Sequence, residues 1–102
     1  MAVTYEEARQ IVRLATEPNW QVGTYCLDDR RIVENGDLFV FEVGAREFLI
    51  DGDFSFAIAG HVPVVHKEDG QLEWLPSPTI ATDPFVTSRP NPEPTLQVDE
   101  DG

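Results

Sequence analysis

Leu38-Phe39-Val40-Phe41-Glu42-Val43, six residues beyond Asn35-Gly36, is the stretch on which the fold turns. Aromatic and β-branched side chains in unbroken succession suit a pleated surface covered on both sides, so this run reads as a central strand. Asn35-Gly36 is a hairpin signal because both residue types tolerate positive φ. A two-residue turn there sets Val33 opposite Leu38 and Ile32 opposite Phe39. The returning arm, residues 24–33, is less regular. Its middle, Asp28-Asp29-Arg30-Arg31, gives neither face a clean apolar row, which predicts a twist, a bulge or an exposed centre.

Upstream lies a helix. Thr4 followed by Glu7 forms a capping box, in which each side chain satisfies the other residue's backbone N–H. Tyr5, Ala8, Ile11, Val12 and Ala15 recur at helical spacing, and Leu14 widens their face. Pro18 pushes Glu17 out of helical conformation, so the helix spans residues 4–16. Its apolar face requires a sheet to pack on.

Downstream, Gly44 permits a bend and residues 46–50 extend the sheet or form a short strand. Asp51-Gly52-Asp53 is turn chemistry. Residues 54–59 read as one helical turn ended by Gly60. Val62–His66 is a strand, with Pro63 near its start where a missing N–H is tolerated. Glu68-Asp69-Gly70 turns the chain by a type I turn with a left-handed glycine, or by a type I′ turn. Residues 71–75 pair back, with Leu72 and Trp74 on one face and Trp74 in the core. The expected fold class is therefore α+β: an N-terminal helix on an antiparallel sheet of about four strands, within a single domain over residues 1–85.

Six of the eight prolines fall between Pro76 and Pro94. Residues 86–102 have few large apolar groups, and such a composition cannot offset chain entropy by burial, so a disordered, acidic tail is expected there. The chain has 102 residues and a net charge of −12. The tail sets Arg89 against Glu93, Asp99, Glu100 and Asp101, which leaves −9 on the remainder. That field repels nucleic-acid phosphates and anionic membranes, and it favours a basic protein partner. No signal peptide or apolar span is visible, so cytoplasmic residence is expected.

Catalytic chemistry is poorly represented. Cys26, His61 and His66 are the only thiol and imidazoles, and no Gly-x-Ser-x-Gly elbow is present. Cys26 sits in an alternating apolar run and reads as an inert, buried thiol. Asp51, Asp53 and Ser55 alternate like the start of a calcium loop, but the closing position is Val62 rather than an acid. No enzyme, metal or cofactor is expected. Binding has better candidates. Asp28, Asp29, Glu34 and Asp37 place carboxylates on and beside the first hairpin, where they would steer a cationic partner. Trp20, in a Pro-Asn-Trp-Gln loop, is a candidate surface anchor.

The order of segments carries a resemblance. A short helix precedes Phe39-Val40-Phe41. Arg46-Glu47-Phe48-Leu49-Ile50-Asp51-Gly52-Asp53, Ala57-Ile58-Ala59-Gly60-His61-Val62-Pro63-Val64-Val65 and Lys67-Glu68-Asp69-Gly70 follow. Over residues 4–85 this resembles the YrhB-like family, also called the immunity protein 35 family. His61 stands where that family usually has Asn, and Asp69 where Thr is common. The resemblance implies a small α+β protein without catalytic residues that binds and neutralises a cognate bacterial toxin. A chaperone-like, stress-related binder of unfolded chains is the alternative within the family's range.

Overall fold

The computed structural model describes residues 2–57 and 60–96. The elements are α1 (Tyr5–Thr16), β1 (Tyr25–Glu34), β2 (Leu38–Ala45), α2 (Arg46–Leu49), β3 (His61–His66), β4 (Leu72–Pro76), α3 (Ser77–Ala81) and β5 (Thr87–Pro90), with a 3-10 turn at Phe54–Phe56. The strands form one antiparallel sheet in the order β4-β3-β2-β1-β5. The fold is α+β, as its sequence pattern predicts, with β2 in the centre.

α1 begins as expected. Thr4 Oγ1 accepts from Glu7 N at 3.1 Å, and Thr4 N donates to the Glu7 carboxylate at 2.9 Å. Ala8 and Val12 project from the helix onto Leu27, Phe39, Phe41 and Val65 to form the core. Tyr5 stacks on Phe41 with ring centroids 5.2 Å apart and meets Phe39 edge-on at 5.5 Å. Burial pushes its phenol up to about 12, with the charge of Asp29 adding to the effect. Because side chains alternate along β2, Val40 and Glu42 point to the opposite face of the sheet.

The first hairpin turns one residue later than its Asn-Gly pair predicts. Asn35 N donates to Leu38 O at 3.0 Å, and Glu34 lies opposite Phe39 and Val33 opposite Val40. Gly36 does not take positive φ. Asn35 instead stands at the first turn position, where its Oδ1 accepts from both Asp37 N and Leu38 N at 2.8 Å. This side-chain mimicry of a backbone turn decides the register. The second turn uses the first of its two predicted forms, with Gly70 left-handed at φ 77° and Asp69 not.

Three further differences concern segments whose place depends on distant contacts. Residues 46–49 form a helical turn rather than a strand, anchored where Arg46 N donates to Thr24 O at 2.8 Å. Leu49 lies over Gly44, so close that a Cβ there would meet it at 3.3 Å. Trp74, expected in the core, is 47% exposed because β4 is the sheet's edge. Residues 87–90, expected in the disordered segment, form the fifth strand against Arg31–Glu34. Polar anchoring rather than apolar burial holds them: Arg31 donates to Ser88 Oγ at 2.7 Å, and Arg89 to Glu34 at 2.8 Å. Asn91, Thr95 and Leu96 of the expected tail are bonded to Asp29, while its last residues, 97–102, lie outside the described residues, as do residues 58 and 59 of the expected helical turn.

Candidate partner-binding face

The bulge expected in β1 is present, and it sorts the acidic residues of the hairpin. Asp28 pairs with Glu42 and Val33 with Val40, so four residues of β1 stand opposite Phe41 alone. Asp29 lies in this bulge and is directed into the interior beside α1 at 0% exposure. Arg9 Nη1 donates to it at 3.0 Å, Thr95 N at 2.8 Å and Leu96 N at 2.9 Å, and the Thr95 hydroxyl donates as well. Asn91 Nδ2 donates to its carbonyl at 2.7 Å. Burial alone would push the Asp29 carboxyl up. The hydrogen bonds of Thr95 and Leu96, with the Arg9 charge, outweigh that and hold it below its usual range. Asp29 is thus a clasp for residues 91–96, and it has no surface to offer a partner.

The other candidates are dispersed. Asp28 turns to the opposite face and is gripped by Arg30 through two bonds, at 2.9 and 2.7 Å, which lowers its pKa. Glu34 is bound by Lys67 at 2.7 Å and by Arg89 at 2.8 Å, and both interactions hold its carboxyl low. Asp37 is exposed at the hairpin tip. Trp20 is half-buried, edge-on to Tyr25 at 5.4 Å, with Nε1 donating to Val22 O at 2.5 Å. Of the four hairpin carboxylates, three are therefore neutralised internally, and they do not form one rim.

Away from α1, the structure assembles a different surface. A groove of about 760 Å³ runs along the sheet face that carries Val40 and Glu42. Val33, Val40 and Val62 line it from the sheet, and Phe48, Leu49 and Phe56 wall it from the segment after β2. Glu42 stands in this groove with no hydrogen bond or ion pair among the described residues. Desolvation pushes its carboxyl up, repulsion from Asp28 adds to this, and Arg30 only partly opposes it. Sequence reading passed over Glu42 as a strand residue. The available signal was a lone charge inside an otherwise apolar central strand.

His61 also lines the groove, whereas His66 is bound to Glu73 at 2.8 Å. Cys26 is buried, and desolvation pushes its thiol up, away from the nucleophilic thiolate. Asp53 spends its carboxylate on Ser55 N and Oγ, at 3.0 and 2.6 Å, and so caps the 3-10 turn. No described helix is long and apolar enough to cross a membrane. No family model, curated protein or solved structure matches the chain.

Proposed function

We propose that this chain is a non-enzymatic binding protein of the immunity type, acting in the cytoplasm, that neutralises a basic bacterial toxin by covering its functional surface. The observation that carries the reading is the groove. A helix covers one face of the sheet, while the other offers a walled concavity of about 760 Å³ to a partner. Two further features support it. The order of segments over residues 4–85 is similar to that of the YrhB-like family, and the net charge of −12 would draw in a basic partner over a long range. In this reading the steering comes from the whole acidic field. The hairpin carboxylates Asp28 and Glu34 contribute little individually, because Arg30, Lys67 and Arg89 already neutralise them.

The test starts from the neighbouring reading frames, where a basic toxin domain is expected, and measures binding of that domain by calorimetry and stopped flow. The expected result is a stoichiometric complex whose association slows with salt. Val62→Arg, which obstructs the groove, should weaken it by more than about tenfold. A partner bound with equal affinity by the Val62→Arg protein would move the interface elsewhere. The second reading, a chaperone-like binder, is favoured by the exposure of Phe54 at 82% and Phe85 at 76%. It predicts weak, salt-insensitive binding to many unfolded chains, and loss of that binding in a Phe54→Ser/Phe85→Ser protein.

A further inference from the structure

Within the groove, one feature narrows the chemistry of what enters. Five carboxyl groups are held below their usual range, each by donors: Asp28 by Arg30, Asp29 by Thr95, Leu96 and Arg9, Glu34 by Lys67 and Arg89, Glu47 by Thr24, and Asp53 by Ser55. Glu42 is the exception, the one described carboxyl pushed up and the one among these six with no bonded donor. Arg30, whose charge acts on Glu42, is bound by Asp28 through a two-point bond. Arg31, the other cation lining the groove, donates to Ser88 Oγ and Ser88 O at 2.7 and 3.1 Å. The groove that Glu42 lines has apolar walls, Val40, Val62, Phe48, Leu49 and Phe56, beside the charged Asp28, Arg30 and Arg31. A solvent-exposed carboxylate with no donor among the described residues, in a groove that also offers hydrocarbon walls, is complementary to a cation on a hydrocarbon stem.

We infer that Glu42 is the seat for an arginine side chain of a partner polypeptide, whose aliphatic stem lies along the valine and phenylalanine walls of the groove. Arginine fits better than lysine for two reasons. Its planar guanidinium can meet both oxygens of one carboxylate. It is also more weakly hydrated than an ammonium group, so it enters an apolar groove at lower cost. Its methylene stem covers apolar surface while the head remains paired. An anionic occupant would meet the net charge of −12, and the two guanidinium groups of the groove are already bonded, Arg30 to Asp28 and Arg31 to Ser88. This inference rests on the groove being the binding face, and it adds the chemical identity of the anchor.

The probe is butylguanidinium, titrated into the ¹⁵N-labelled full chain and followed by amide shifts. Butylurea, its neutral isostere, and pentanoate, an anion of similar length, are the comparison compounds. The expected result is saturable shifts at Val33, Val40–Gly44 and Val62 with butylguanidinium. Loss of a charge-assisted bond should make binding about tenfold weaker with butylurea and in the Glu42→Gln protein. Pentanoate should leave the groove amides unmoved. Butylurea or pentanoate binding as tightly as butylguanidinium would overturn the inference, as would an unchanged affinity in Glu42→Gln or the absence of saturable shifts. Should the variant fold poorly, the three compounds on the native chain decide the matter alone. No toxin is needed, so the outcomes separate. A groove that binds the cation without any toxin partner keeps the seat and removes the immunity reading. A toxin that binds through the groove with no cation selectivity does the reverse.

Discussion

Asp29 and Glu42 are carboxylates on opposite faces of one sheet, and their protonation runs against their exposure. Asp29 is completely buried yet held ionised, while Glu42 is exposed on one side and yet pushed towards its neutral form. Donors account for the difference. The β1 bulge brings Asp29 to Arg9, Thr95 and Leu96, whereas the regular pleat of β2 sets Glu42 between apolar walls and a repelling Asp28. Burial without donors is costly, and burial with enough donors is a clasp. One face of the sheet uses its carboxylate for holding the chain together. The other leaves its carboxylate without a donor among the described residues.

Asp29→Ala should break the clasp with the largest effect. It strands Arg9 and removes the acceptor for residues 95 and 96, so a loss of about 3–5 kcal/mol is expected in urea unfolding. Cleavage by a protease near residues 95 and 96 should accelerate in parallel, because the end of the strap after β5 is bonded to this side chain.

The pH profile should expose the opposite signs of the two faces. Asp29 has a folded pKa below its ordinary 3.8, so its contribution is complete above that value and is lost as pH falls through the folded pKa. Asp28 and Glu34 share that sign. Glu42 has a folded pKa above 4.5, so its ionisation costs stability as pH rises through that value. Urea midpoints should therefore fall steeply below the ordinary carboxylate range in the native chain, and Asp29→Asn should flatten that fall. A profile unchanged by Asp29→Asn would show that the clasp is not the acid-sensitive element.

Thr95→Val makes Asp29 more like Glu42 by removing one donor while keeping the shape. It should cost about 1 kcal/mol and move the acid limb of the stability profile upward. Glu42→Gln is the mildest change. Its effect on stability near neutral pH should stay within about 0.5 kcal/mol, with the sign favouring the variant, because an unfavourable ionisation is gone. A large destabilisation would reveal that Glu42 holds the fold and would place it with Asp29.

Elements specified by near neighbours were legible in the residues. Thr4 and Glu7 lie three apart and Pro18 closes the same segment, so α1 could be delimited from its own sequence. The Asp-Gly turn before β4 was equally local. The register of the first hairpin was not, because Asn35 competes with the backbone for the turn and displaces the pairing that Asn-Gly usually directs. β5 was hidden for another reason. Its partners, Glu34 and Arg31, precede it by 55 and 57 positions, and they bind it through charge and hydroxyl groups that a hydrophobic pattern does not register.

The candidate site divides in the same way. Asp28-Asp29-Arg30-Arg31 reads as a solvated, charged run, and its irregularity foretells a bulge but not the direction each side chain takes. Glu42 was visible as a lone acid in an apolar strand, yet nothing nearby in sequence says whether a cation waits across the sheet.

Local pattern by itself determined the class of fold, the helix and its cap, the central strand and the acidic field, since these depend on backbone preference and on composition. Tertiary structure alone decided which carboxylates are spent inside the molecule and which remains available. A carboxylate's state follows from the donors around it, and for Asp29 those donors come from residues 20 positions before it and 66 positions after it in the chain.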